Sequence, residues 1–181
     1  MQDVKLPIIS EAKGTGYSIW LIPENGVYRK LSDLISQLSR EHNTPSFDPH
    51  VTLIGGVLGS EQEVVSKTDR LASIIKPYKV GARNVEYLNE YFKCLFLRVK
   101  ETDEVVRANS EARKVFGKQS DLKYMPHLSL MYGNLSPQAK EQIIAKIGRE
   151  IPVTFDVNSI RLFSTNGRLE EWYEVENFPL E

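Results

Sequence analysis

A single cysteine, Cys94, leaves the chain no intrachain disulfide to form, so nothing in its cysteine usage signals secretion. Cys94 sits in the run Phe92-Lys93-Cys94-Leu95-Phe96-Leu97, which reads as a strand with a small buried hydrophobe. No apolar run approaches the roughly 20 residues that span a bilayer. The opening MQDVKLPIIS lacks the basic-then-apolar pattern of a signal peptide, so a cytoplasmic location is expected. Neither sign of charge is in excess: 23 Lys and Arg stand against 24 Asp and Glu, a formal net charge of −1. A long nucleic-acid track usually needs a clear basic surplus, so a small ligand is favoured over a polynucleotide. There is no H-E-x-x-H, no C-x-x-C and no phosphate-binding P-loop, and no serine stands in a nucleophile-elbow context.

What the chain does have is an ordinary globular composition, 41% hydrophobic and 26% charged. Its 181 residues fit one domain or two small lobes sharing a core. Residues 1–15 read as a loosely held tail before a single bilobal domain over 16–181. Tyr17 to Ile22 form a strand stopped by Pro23. Val27, Leu31, Leu34, Ile35 and Leu38 then recur at helical spacing. Ser60-Glu61-Gln62-Glu63 is a capping box ahead of a second helix that Pro77 ends. Residues 79–87 and 92–100 read as an antiparallel pair around Asn89-Glu90. A third helix starts near Asp103, with Val105, Val106, Asn109, Ala112 and Phe116 facing inward and Gly117 as its stop. Ser136-Pro137 opens a fourth, buried along Ala139, Ile143, Ile144 and Ile147. Residues 152–163 and 171–178 read as two strands around the turn Asn166-Gly167.

Two of the three histidines lie in matching stretches, Asp48-Pro49-His50-Val51-Thr52-Leu53 and Met125-Pro126-His127-Leu128-Ser129-Leu130. A shift of 77 residues superimposes them, and Gly56 on Gly133 as well. Each is preceded by a strand and a helix and followed by a Ser-capped helix, which is an internal repeat. The expected architecture is α+β: two pseudo-symmetric lobes, each with an antiparallel-rich sheet and helices on its outer face, and a catalytic cleft between them.

Side chains alternate along a strand, so His50 and Thr52 share one face, as do His127 and Ser129. Facing lobes then set two imidazoles across a cleft with two hydroxyls beside them. That pattern suits phosphodiester hydrolysis: one neutral histidine takes a proton from water, and the other, protonated, gives one to the leaving oxygen. The hydroxyls can donate to the phosphate oxygens as charge builds there. A single Pro-His-x-Thr strand would read as structural, whereas two copies in corresponding places read as one site. A metal centre would need further ligands, and only His42, Asp48 or an unassigned carboxylate is on offer. His42, past a helix in a polar loop, reads as a surface residue.

With YSIWLIP, F-x-PHVTL, CLFLRV, YMPHLSLMYG and a late W-Y-E strand, the chain resembles the two-histidine phosphoesterase superfamily, and within it the plant-type cyclic phosphodiesterases linked to tRNA splicing. The resemblance runs over most of the chain from Tyr17. It implies a metal-independent, cofactor-free enzyme that opens ADP-ribose 1″,2″-cyclic phosphate to the 1″-phosphate and nucleoside 2′,3′-cyclic phosphates to 2′-phosphates. It implies His50 and His127 as the catalytic pair, Thr52 and Ser129 as phosphate-binding hydroxyls, and Trp20 and Tyr132 near the substrate. Trp20 has two readings, a platform for a base or a core tryptophan. Tyr132, five residues after His127, falls on the wrong face by strict alternation and reaches the cleft only if the strand ends, twists or bulges there. A monomer acting on a small cyclic nucleotide, away from membranes, is expected. Two alternatives stand beside it: an enzyme of the same superfamily that processes RNA ends, and a nucleotide-binding module without catalysis.

Overall fold

The computed structural model describes residues 12–181. Of the expected N-terminal tail, residues 1–11 lie outside the described residues. Lys13–Gly14 form a two-residue strand, β1, that pairs with Gly167 and Arg168. The chain then runs β2 (Tyr17–Leu21), α1 (Asn25–His42), β3 (Val51–Val57), α2 (Glu61–Ile74) and β4 (Tyr78–Glu86). It continues through β5 (Leu95–Val99), α3 (Asp103–Phe116), β6 (His127–Met131), α4 (Pro137–Ile147) and β7 (Glu150–Val157). It closes with β8 (Ser159–Ser164), β9 (Gly167–Arg168) and β10 (Tyr173–Pro179). None of the described helices is long and apolar enough to cross a membrane.

The helices begin where local chemistry dictates. Ser60, Thr102 and Ser136 each accept a bond from a backbone N–H in the first turn of α2, α3 and α4. Asn43 and Gly117 end α1 and α3 in left-handed conformations. Two expected burial assignments change. Val106 on α3 points outward, 47% exposed, while Ala108 takes an inward position. On α4 it is Lys140, not Ala139, that is fully buried, and its ammonium donates to Leu88 O at 2.8 Å and Asn89 Oδ1 at 3.2 Å.

The two expected lobes are the two halves of one eight-stranded sheet, ordered β10-β8-β2-β3-β6-β5-β4-β7. The histidine motifs meet at its centre, where β3 and β6 are neighbours. The helices cross this joint: α1 packs on β6 and β7, and α3 packs on β3 and β4. Residues 152–163, expected as one strand, are two, at nearly opposite ends of the sheet order with only Asn158 between them. So short a link between such distant positions requires the sheet to curl until its outer strands approach. Leu180 N–H, just past β10, donates to Asn158 O at 2.8 Å and extends the β8–β10 pairing to that link. The apolar faces of β3 and β6, with Val51, Leu53, Leu128 and Leu130 at 0% exposure, lie against the helices. The opposite face opens into the cleft.

Residues 92–94, expected in a strand, are not in one. Tyr91–Lys93 form a 3-10 turn and β5 starts only at Leu95. That change places Phe92 and Lys93 at the cleft instead of in the ladder.

Candidate active site

The joint between β3 and β6 fixes the geometry of the site. Their one paired position is Val51 opposite Leu128. In that antiparallel register His50 falls opposite Ser129, and Thr52 opposite His127. A pseudo-two-fold passing through the Val51–Leu128 pair thus sets each imidazole across from the other half's hydroxyl. The two histidines become diagonal neighbours, which in an antiparallel pair stand about 7–8 Å apart at the backbone. All four side chains line one cleft of about 510 Å³.

Each histidine follows a proline. Pro126 comes opposite Leu53 and Pro49 opposite Leu130 in this register, and backbone pairing between β3 and β6 does not extend beyond Val51–Leu128. The Pro126 carbonyl faces β5, where it accepts from Val99 N–H at 3.1 Å. The prolines also separate each histidine from the carbonyl that holds it. His50 Nδ1 lies 2.7 Å from Asp48 O, and His127 Nδ1 lies 2.8 Å from Met125 O. A carbonyl only accepts, so Nδ1 carries the proton in both rings. The neutral tautomer therefore leaves the Nε2 lone pair free in each half.

Each imidazole also rests on an aromatic ring. Trp20 stacks on His50 with centroids 3.7 Å apart and planes 10° apart. Phe96, on β5 opposite Ser129, meets His127 edge-on at 5.2 Å and 64°. Phe163 covers the other face of Trp20 at 3.9 Å and 21°. With both indole faces taken, no base can stack on Trp20. It is a buried support for His50 whose edge lines the cleft. Tyr132 does enter the cleft, because β6 ends at Met131 and Gly133 turns the chain at φ +154°. Its ring stacks on Phe47 at 3.8 Å and 14°. His42 remains outside, as the last residue of α1 beside Glu41.

Burial dominates the electrostatics. His50 is 5% exposed, and loss of water holds its pKa down to about 4, with the bond to the Asp48 carbonyl pulling the other way and the positive field of His127 adding to the depression. His127 is less deeply set. Its pKa is also lowered, first by burial and then by Lys93 and Arg98, against the opposing effects of the Met125 carbonyl and Glu90. Burial raises the phenol of Tyr132 well above its usual range, partly offset by a hydrogen bond with Ser129. The Ser129 hydroxyl donates to Phe92 O at 3.1 Å. Lys93 is a cation in the lining of the cleft, and its ammonium is held by Glu90 at 2.6 Å. Among the described residues no three His, Cys, Asp or Glu side chains gather as a metal site.

Several lining residues escaped the sequence reading: Glu90, Tyr91, Phe92, Lys93 and Trp172. Two aromatics beside the site, outside the lining, share a signal in the sequence. Phe47 and Tyr124 each stand three residues before a histidine and are related by the same 77-residue shift. The full motif is thus aromatic-x-Pro-His-apolar-hydroxyl-Leu.

Comparison with known proteins agrees with this geometry. The family described as "Cyclic phosphodiesterase-like protein" matches residues 15–179. The chain is 29% identical over 174 residues to the cyclic phosphodiesterase of Arabidopsis thaliana, covering 92% of this chain and 96% of the relative. It is 27% identical over 191 residues to the 2′,3′-cyclic-nucleotide 3′-phosphodiesterase of Kluyveromyces lactis, covering 91% and 88%. Among solved structures, E. coli LigT complexed with 3′-AMP superposes with a TM-score of 0.59 at 10% identity, covering 93% of this chain and 99% of that one, a likeness of fold. A family match over nearly the whole chain, with the fold and its paired motifs beneath it, makes this protein a member of the cyclic phosphodiesterase-like family of two-histidine phosphoesterases.

Proposed function

We propose that the protein hydrolyses nucleoside 2′,3′-cyclic phosphates to 2′-phosphates, and ADP-ribose 1″,2″-cyclic phosphate to the 1″-phosphate, with His50 and His127 as general base and general acid. The observation that carries this reading is the matched pair of Nδ1–carbonyl bonds. They give both imidazoles the same tautomer, with Nε2 free on the cleft side of each half.

The two histidines differ in their surroundings, which divides the roles. His50, held to about 4, is neutral at physiological pH and ready to accept a proton. His127 is less buried and is the better proton carrier once a phosphodiester anion sits beside it, since a nearby negative charge raises an imidazole pKa. Water attacks phosphorus in line with the 3′ oxygen and gives its proton to His50 Nε2. The P–O3′ bond breaks, and the proton on His127 Nε2 passes to O3′. The product keeps its phosphate on O2′. Thr52 and Ser129 donate to the non-bridging oxygens, Ser129 by turning its proton from Phe92 O to the phosphate. Tyr132, Tyr91, Phe92 and Trp172 give the cleft the apolar rim that a nucleobase needs. The names of the two relatives, one a 2′,3′-cyclic-nucleotide 3′-phosphodiesterase, support the bond chosen for cleavage.

The test is a ³¹P NMR-monitored digest of a 2′,3′-cyclic nucleotide, ADP-ribose 1″,2″-cyclic phosphate and a short RNA with a cyclic end. The first two should give the 2′- and 1″-phosphates. His50→Asn and His127→Asn should each slow turnover by about 10²–10⁴-fold. A fully active variant, or a 3′-phosphate product, overturns the mechanism. No turnover of any substrate points to a binding module.

A further inference from the structure

Very little backbone pairing holds the two motif strands together beside the cleft. Val51–Leu128 is their one paired position, and Pro126, two residues before Leu128, turns its carbonyl to Val99 N–H on β5 at 3.1 Å. Two side chains from the second half add bonds to β3 carbonyls. Tyr124 Oη donates to Thr52 O at 3.0 Å, and Asn109 Nδ2 donates to Leu53 O at 2.7 Å.

The two bonds are not equivalent. Leu53 is a core residue whose side chain points to the helices. Thr52 carries a cleft hydroxyl, and in the joint's register it stands opposite His127. Tyr124 lies directly before Met125, whose carbonyl holds His127 Nδ1. One residue therefore touches both motifs: its backbone leads into the carbonyl that orients His127, and its hydroxyl grips the residue that carries the Thr52 hydroxyl. Its counterpart at the first motif, Phe47, also crosses the joint, but by stacking on Tyr132. Burial raises the Tyr124 phenol far above its ordinary value, which keeps it a proton donor at any working pH.

We propose that Tyr124 is a positioning residue for the phosphodiesterase reaction: its phenol ties the thinly paired β3–β6 joint together and sets the spacing between the Thr52 hydroxyl and the His127 imidazole. Losing the bond lets β3 and β6 drift apart at the site of reaction while the core around the ring stays filled. Displacements near 1 Å at an active site typically cost about 10²-fold in rate.

The test compares Tyr124→Phe with Asn109→Leu in the full chain, on a 2′,3′-cyclic nucleotide. Both variants remove one side-chain bond to a β3 carbonyl and keep side-chain bulk, so both should lower Tm. Only Tyr124→Phe should lower kcat, by about 10–100-fold with KM little changed. Wild-type kcat in Tyr124→Phe overturns the proposal, and so does an equal loss of kcat in Asn109→Leu, which would make the effect one of general stability. The proposal rests on the two-histidine reading, and His127→Asn assayed alongside separates them. An active His127→Asn sinks both, whereas an inactive His127→Asn beside a fully active Tyr124→Phe sinks the positioning role alone.

Discussion

Acidification should destabilise the fold through His50, by an amount the structure fixes. The ring is 5% exposed, sandwiched against Trp20 and bonded to the Asp48 carbonyl. Burial holds its pKa at about 4, against 6.5 for an unperturbed imidazole. An unfolded chain regains the higher value, so below pH 6.5 it takes up a proton that the folded protein refuses. The neutral ring's contribution is complete above that pH and is lost as pH falls toward 4. At about 1.36 kcal/mol per pKa unit the whole span is worth about 3 kcal/mol, of which about 2 kcal/mol is gone by about pH 5. For a domain with a typical stability of about 5–15 kcal/mol that is readily measured. Urea unfolding followed by tryptophan fluorescence, at a series of pH values, would be run on the wild type and on His50→Asn. Asparagine keeps a donor for the Asp48 carbonyl and removes the titration, so changes in other groups cancel in the difference. The stability gap between the two proteins should move by about 2 kcal/mol in favour of the variant between about pH 7.5 and about pH 5. Parallel pH curves would refute the claim that burial sets the charge state of His50.

Two other outcomes follow from the same site. The pH dependence of kcat/KM should be a bell on the acid side of neutrality, its rising limb belonging to His50 and its falling limb to His127, because both pKa values are lowered in the free protein. The bell for kcat should sit at higher pH, since the bound phosphodiester raises both, and coincident profiles would contradict that. Trp20→Leu uncovers one face of His50, so the imidazole pKa measured by NMR should rise from about 4 toward 6.5. A value that stays put would mean that the stacked indole is not what keeps water away.

The site was legible in the sequence because its logic is local and doubled. Alternation alone puts His50 with Thr52 and His127 with Ser129, and the 77-residue echo shows that the two pairs belong together. The supports beneath them were not legible, and the reason is one residue of slippage. The register of β2 against β3 shifts at Ile19 and Trp20. The echo therefore matches Phe96 with Ile19, whereas the ring doing the equivalent job under His50 is Trp20. The aromatic rim was hidden for a different reason. Phe92 lies in a stretch with good strand composition, and only the 3-10 turn at Tyr91–Lys93 pulls it out of the ladder. Sheet order was beyond reach because nothing in residues 150–164 signals that the chain passes between distant strands at Asn158. The buried Lys140 was missed because a lysine on an otherwise apolar face earns burial only from partners, here Leu88 and Asn89, that lie far away in sequence.

The sheet order also dictates when this protein can be finished on the ribosome. Strand β2, which lies against the first histidine strand, has β8 as its other neighbour. Leu21 emerges 138 residues ahead of Ser159 (159 − 21). At about 5–20 residues per second the interval is roughly 7–28 s. For all of that time β2 is an open edge carrying Ile19, Trp20 and Leu21, a template for pairing with another nascent chain. A polysome making this enzyme therefore carries the half with the first histidine motif incomplete on every growing copy. A chaperone that shields that edge until β8 arrives would raise the yield of active protein more than one that acts on the finished chain.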